Sequence, residues 1–524
     1  MQVFNSLSGR REEFIPQGDE VKMYVCGINP YDDAHIGHAL SYIFFDVVRR
    51  YLEYRGYKVK HIQNITDIED NIIAHANERG VTVQELTQKY VERYDEDMKL
   101  LNVQPAHVYP RAMSEIPKML EIVSGLIEKG FAYAVGGNVY FRVKSVPDYG
   151  KLSHRNLDEM MAGARIDPGE EKEHPMDFLL WKEAKPGEPS WDSAWGKGRP
   201  GWHIECSAMS IRYLGETIDI HGGGQDVVFP HHENEIAQSE SFTGKKPFVK
   251  YWIHNGLLSI GGEKGSRSLG NMITIREALK EHSPDAIRVF VLGSYYRSPL
   301  SFMSDSLDVA ERGADRLRLA AAAQEKGERG PAEIDTDSYR NRFIKVMDDD
   351  FGTPQALATL FDMARDINRS SDEGYDVTQA QQVFTELAGV LGLTLNPRKP
   401  THYPKTLAIN IATASKETAE SINLNSVIDN PDILRAQTEV ITASGVLLAQ
   451  IDEISTEEED SLENEYAIDS SSVDTVVEKD IYFRQLLRTN KMYEEADIMR
   501  SGLENEAGIL LEDSVQGTTW KLKR

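Results

Sequence analysis

Cysteine is nearly missing from this 524-residue chain: Cys26 and Cys206 are the only two, and they lie far apart. That excludes a disulfide framework and leaves two buried thiols, a redox pair or metal ligands. Long apolar runs are missing too. No stretch approaches the roughly 18 to 20 residues that a membrane span needs, and the opening MQVFNSLSGRREEF has no apolar signal core. The expectation is a cytoplasmic protein without a membrane partner. Positive charge is also short. A formal net charge of −26 speaks against an unspecialised nucleic-acid binder. The deficit is uneven, however, because DEISTEEEDSLENEYAID (452–469) holds nine acids and no Lys or Arg. Such a segment reads as a solvated linker and leaves room for a basic face elsewhere. There is no internal repeat.

What is present is the composition of a globular protein, 40% hydrophobic and 27% charged, in a chain too long for one core. VKMYVCG (21–27) has the pattern of a buried strand. ALSYIFFDVVRRYLEYRG repeats its apolar residues at helical spacing, and YKVKHIQNIT reads as a second strand. Strand, loop, helix and strand make a βαβ unit, the opening of a doubly wound α/β sheet. From about 119 to 195 a helix, a hairpin-like AYAVGGNVYFRV and a Pro/Gly/charge-rich run interrupt that pattern, as an insertion between two halves of a sheet would. Residues 305–395 read as helical throughout. The tail, with Lys521, Lys523, Arg524 and a Trp, fits either nucleic-acid contact or a plain solvated end.

Three clusters carry chemistry. In AHIGHA, His35 and His38 stand one turn apart where the first crossover helix begins, with Gly37 between them. A helix N-terminus offers amide donors to phosphate, and two imidazoles beside it add more; surface histidines at chance spacing are the alternative. In PHHENEIAQSE, a helix starting at Pro230 puts His231 and Glu235 on one face. With Cys26 and Cys206 they make a tetrahedral zinc set, although each cysteine also fits a small core position. DIHGGGQD sets His221 and Asp226 around Gly222–Gly224. Such glycines suit close approach to a nucleotide, or simply a tight turn. A fourth stretch, GGEKGSRSLGN (261–271), is a glycine-rich loop with two cations, Lys264 and Arg267.

Taken in order, YVCGINPYDDAHIGHA, QNITDIEDNII, KPGEPSWDSAWGKGRPGWHIECSAMS, IDIHGGGQDVVFPHHENEIAQSE and EKGSRSLGN resemble the cysteinyl-tRNA synthetases, a family of class I aminoacyl-tRNA synthetases. The resemblance covers about residues 1–395 and 477–524. It implies a Rossmann-type catalytic sheet at 1–118 and 196–255, divided by a connective insertion at 119–195. A loop and connecting region (256–304), an α-helical bundle (305–395) and a small anticodon-binding domain (477–524) follow, with 396–476 left as an acidic linker or insertion. It also implies ATP-dependent activation of L-cysteine and its transfer to tRNA-Cys by a monomer. One Zn²⁺ is then held by Cys26, Cys206, His231 and Glu235, and Mg²⁺ accompanies ATP. Thr66 and Trp202 line the amino-acid pocket. ATP is bound by Gly37, His221, Gly222, Asp226, Lys264, Ser266 and Arg267, and His35, His38, Lys264 and Arg267 are catalytic. Zinc–thiolate selection makes an editing domain unnecessary, since a site demanding one specific bond discriminates by roughly 10⁴ to 10⁵.

The chain departs from the family pattern in three places. KGSRS replaces KMSKS, so Arg267 presents a planar fork in place of a point charge and Gly265 loosens the loop; activation is expected to survive, more slowly. CGINPYD replaces the common CGPTVYD, placing Asn29 near the amino-acid pocket. Residues 396–476 exceed the usual connection. Two rival readings remain: a cysteine ligase of mycothiol type, which shares the core, and a synthetase-derived protein that binds tRNA without charging it. HHENEIAQSE and GILLEDSVQGTTW are synthetase-like, and the intact HIGH signature speaks for catalysis.

Overall fold

The computed structural model describes residues 1–157, 172–260, 263–264, 272–323, 329–396, 402–424, 430–456, 467–514 and 517–522. They form two compact units, Met1–Pro397 and Arg398–Arg524. A short hairpin, β1 (Gln2–Asn5) and β2 (Arg10–Glu13), leads into β3 (Glu20–Ile28), α1 (Ile36–Tyr54) and β4 (Lys58–Ile65). These three are the expected βαβ unit, with β3 and β4 parallel and Val21 opposite Val59. α2 (Asp70–Arg79), α3 (Val83–Leu100) and α4 (Ile116–Glu128) follow. An antiparallel sheet in the order β5–β6–β7–β8 is then built from Ala132–Val135, Asn138–Phe141, Phe178–Glu183 and Gly198–Pro200. α5 (Trp202–Leu214), β9 (Ile218–Gly224), α6 (Glu233–Thr243) and β10 (Val249–Asn255) complete the first sheet in the order β10–β9–β3–β4.

Strand alternation explains why the parallel sheet is covered on both faces. Met23 and Val25 join the core that holds Ile43, Phe44 and Val47 of α1. Tyr24 between them joins the opposite core, with Ile204 and Met209 of α5 and Met119 of α4. The chain leaves β3 toward β4 on one side and later returns to β9 on the other. In open α/β sheets, ligands bind at such a switch point, outside the carboxyl ends of the strands. Cys26 stands at that end of β3.

The rest of the unit supports the sheet. β11 (Leu258–Ile260) pairs with β12 (Glu263–Lys264) and with β13 (Leu300–Phe302). α7 (Ile275–Glu281) and α8 (Pro284–Leu292) lie between them in sequence, and α9 (Ser306–Ala321), α10 (Thr336–Met347), α11 (Thr353–Asp372) and α12 (Thr378–Val390) extend the α1 core. One buried ion pair joins these layers. Arg288 of α8 reaches Asp46 of α1 at 2.6 Å, and its other donors meet the carbonyls of Leu101 (2.7 Å), Asn102 (2.7 Å) and Leu391 (2.9 Å).

The second unit corrects the linker expected over 396–476. β14 (His402–Pro404) pairs with β15 (Ala467–Asp469), and α13 (Lys405–Ser421) and α14 (Pro431–Thr456) are long helices. They pack with α15 (Ser470–Thr489), α16 (Tyr493–Glu506) and the hairpin β16 (Ile509–Ser514) and β17 (Gly517–Leu522). The cause is periodic: Ile433, Ala436, Val440, Leu447 and Ile451 recur at spacings of three, four and seven, a continuous apolar stripe that must be covered. Of the acidic run, 457–466 lies outside the described residues. Trp520 packs against this core, so it is no free aromatic on a solvated tail.

Removing one partner of a buried pair strands the other charge. Arg288→Met should therefore lower the first urea-unfolding transition by about 3–5 kcal/mol, and Asp46→Ala combined with it should add far less than a second full loss. Additive losses would show that the pair is not coupled.

Candidate active site

A cleft of about 400 Å³ opens at the carboxyl ends of β3 and β9. It is lined by Cys26, Cys206, His231, Thr66, Trp202, His35, His38 and Asp226 together with Asn29 and Asn64. The structure thus brings both chemical clusters, and both residues expected around an amino acid, to one place. Trp202, at the start of α5, keeps 38% of its surface exposed although large and apolar, and stacks near His231 with ring centroids 4.1 Å apart. Asn29 lies on the same wall, with Glu69 behind it as a hydrogen-bond partner.

One end of the cleft is built from α1. His35 is its N-cap and His38 its third residue. The rings stack at 3.7 Å and cap each other's backbone: His38 N donates to Nδ1 of His35 at 3.3 Å, and His35 N donates to Nδ1 of His38 at 3.2 Å. Because Nδ1 accepts in both neutral rings, the proton of each lies on Nε2, which makes each Nε2 a donor. A Cβ at Gly37 would come within 3.0 Å of the His35 ring, so the glycine leaves that ring its place. The segment after the KGSRS loop is tied to the same spot: Ile36 N donates to Ile273 O (3.1 Å) and Ile275 N to Ala34 O (2.9 Å). Ser266 and Arg267 lie outside the described residues, and Lys264 is described for its backbone alone, in β12.

At the other end stands a polar cluster buried deeper than the sequence suggests. The donor atoms of Cys26, His231, His232 and Glu235 lie within 4.8 Å of one another. Cys206 adjoins them, in hydrogen-bond contact with Cys26 and His231. Two chains of rings fix the group. His203 Nδ1 lies 2.9 Å from His231 Nδ1, and His231 Nε2 lies 3.0 Å from Glu235 Oε1. His232 spans Cys26 Sγ (3.1 Å) and His254 Nε2 (2.8 Å), and His254 Nδ1 meets Ser6 Oγ at 2.8 Å. Burial pushes His203 and His254 down to about 3, so both stay neutral. Burial alone would raise the Glu235 carboxyl, yet His221 and His231 hold it down to about 2. Its Oε1 makes no hydrogen bond even with His231 Nε2 so near. Two thiols, an imidazole and an ionised carboxylate with an unused oxygen are the donor set of a metal ion.

Four expectations change. The helix begins at Glu233, not Pro230, because Phe229 is extended (φ −138°, ψ 132°) and a wide turn holds 228–232. That turn keeps His231 beside Glu235 and also brings His232 in. Gly222–Gly224 are not a turn: they pair with Ile253–Asn255 inside the sheet. A Cβ at Gly222 would meet Phe45 at 2.3 Å, so packing against α1 explains this glycine. His221 is fully buried, donating toward Glu235 Oε2 at 2.9 Å and stacking on Trp252; it stands behind the Cys/His/Glu cluster and not among the residues that line the cleft.

Residues 14–312 match the family described as tRNA synthetases class I (C) catalytic domain, and 342–396 match the DALR domain. A cysteine–tRNA ligase of Dehalococcoides mccartyi is 52% identical over the whole of both chains. This chain belongs to the cysteine–tRNA ligases. A relative of that name from Heliobacterium modesticaldum is 42% identical over 99% of each chain. Among solved structures, methionyl-tRNA synthetase of Mycobacterium tuberculosis shares the fold at TM-score 0.51 and 14% identity, covering 71% of this chain and 90% of its own. Among the described residues, no helix is long and apolar enough to cross a membrane. The sequence reading missed His203, His232 and His254; WHIEC and PHHENE contain the first two, but only the fold aims them at Cys26 and His231.

Cobalt offers a direct probe of the donor set. Metal-stripped protein titrated with Co²⁺ should show thiolate-to-metal absorption saturating at one ion per chain, weakened in Cys26→Ser and again in Cys206→Ser. Titration without that absorption would separate the thiols from the metal.

Proposed function

We propose that the cleft activates L-cysteine with ATP and passes it to the 3′-terminal adenosine of tRNA-Cys, with zinc held by Cys26, Cys206, His231 and Glu235. One observation carries this reading: the thiol-rich cluster and the stacked histidines of α1 line the same cleft. Cys206 is preferred to His232 as the fourth ligand because it is in contact with both Cys26 and His231 and a second thiolate suits zinc, while His232 bridges Cys26 to His254. A zinc ion there supplies a Lewis acid for the thiolate of the bound amino acid, which a serine hydroxyl matches poorly.

The chain's own residues do the rest. Trp202 and Thr66 close around the amino acid and exclude water. Its carboxylate oxygen attacks the α-phosphorus of ATP, the bond to the β-phosphate oxygen breaks, and pyrophosphate leaves with magnesium. The Nε2–H groups of His35 and His38, at the positive end of the α1 dipole, stabilise charge on the phosphates as it builds. Lys264, Ser266 and Arg267 bind the triphosphate, and Asp226 meets the nucleoside at the rim of the cleft. A ribose hydroxyl of tRNA then attacks the acyl carbon, and AMP departs. Catalysis of this kind is positioning and electrostatics, with no covalent enzyme intermediate. His221 and Gly222 act from behind the cleft, orienting Glu235 and seating α1. In this reading the chain works as a monomer in the cytoplasm, and the second unit contributes tRNA contacts. The full-length identity to cysteine–tRNA ligases favours it over a mycothiol-type ligase.

Incubation with ATP, magnesium, zinc and tRNA-Cys should yield acid-precipitable cysteine but no serine, and no charging of an alanine tRNA. His38→Ala should lower cysteine-dependent pyrophosphate exchange by about 10² to 10³. Exchange unchanged in that variant would remove the histidines from the phosphate site.

A further inference from the structure

Behind the wall of the cleft lies a carboxyl group that neither the zinc set nor the ATP site uses. Glu205, the fourth residue of α5, is 1% exposed. Its Oε2 accepts the Thr66 hydroxyl at 3.0 Å, and its Oε1 is buried without a hydrogen bond. Thr66 in turn accepts from Asn64 Nδ2 at 3.2 Å, and Asn64 Oδ1 accepts from Gly27 N at 2.8 Å. The chain Gly27–Asn64–Thr66–Glu205 therefore runs from the residue after Cys26 to the residue before Cys206. It spans the two elements that carry the thiols. A Cβ at Gly27 would fall 1.5 Å from the Asn64 carbonyl oxygen, so β3 and the end of β4 are in the closest backbone contact here.

A hydroxyl has one proton and two lone pairs. In Thr66 the proton goes to Glu205, and one lone pair takes the Asn64 amide. One lone pair remains, on a side chain that lines the cleft. We propose that Glu205 is a positioning residue: by taking the Thr66 proton it turns the hydroxyl oxygen outward as an acceptor for the ammonium group of the substrate cysteine. Without that acceptor behind it, the hydroxyl would be free to rotate and present its proton to the ammonium. The assignment needs no particular charge on Glu205, because a carbonyl-type Oε2 accepts in either state. It gives the cleft a polar contact for the amine, on the side of Trp202, that is separate from the sulfur contact. This inference rests on cysteine being the substrate.

Two ligands test it: cysteine, and 3-mercaptopropionate, which keeps the thiol and carboxylate but lacks the amine. Wild-type protein must first show cysteine-dependent pyrophosphate exchange, and its absence would count against the function itself and not against Glu205 alone. In Glu205→Met, KM for cysteine should rise about tenfold, equivalent to about 1.4 kcal/mol, while the inhibition constant of 3-mercaptopropionate and the zinc content stay as in wild type. Glu205→Gln keeps an acceptor oxygen and should recover most of the loss. Thr66→Val, of similar shape without the hydroxyl, should reproduce the Glu205→Met pattern even where the methionine variant folds poorly. Equal weakening of both ligands in Thr66→Val, or of neither, would overturn the proposal.

Discussion

Glu235 has no exposed surface and is ionised, and much of the catalytic unit can be read as the means of satisfying it. An isolated carboxylate at that depth would be costly to bury. Here His221 from β9 takes one oxygen and His231 approaches the other, while Cys26 and His232 complete the cluster and Cys206 adjoins it. Four elements contribute: β3, α5, β9 and the turn before α6. Each must end at the same level of the sheet, which is what a parallel arrangement with a switch point between β3 and β9 provides. The aromatic and imidazole rings of Trp252, His203 and His254 pack the remaining space, and burial keeps the two histidines neutral.

The same constraint puts the two halves of the chemistry side by side. β3 ends at Ile28, and a short loop delivers His35 to the N-terminus of α1, so a helix end carrying two histidines stands across one cleft from the thiols. Reciprocal capping by His35 and His38 locks the imidazoles before any ligand arrives. Preorganisation of that kind is the main resource of a site that works without a covalent intermediate.

How much of this could be read from the sequence depended on the range of the signal. The βαβ unit is legible because strand alternation and helical period are local, and Cys26, Cys206, His231 and Glu235 can be grouped because there are only two cysteines and the His/Glu spacing is one helical turn. The ring chains through His203, His232 and His254 were not legible, because their partners lie on other elements. Gly222 misled for a related reason: three glycines suggest a turn, but the cause of the first is Phe45, far away in sequence. The segment NSVIDNPDILRAQTEVITASGVLLAQ has a helical pattern of its own before the acidic run, and the structure forms α14 there, with Ile433, Val440 and Leu447 on its buried side.

In the proposed site the two thiols of Cys26 and Cys206 hold a metal that also takes the sulfur of the substrate. X-ray absorption at the metal edge of the purified protein, with and without cysteine, tests it most directly. The expected result is two sulfur neighbours alone and three with cysteine, with serine leaving the spectrum unchanged. A sulfur count that stays the same when cysteine binds would contradict it.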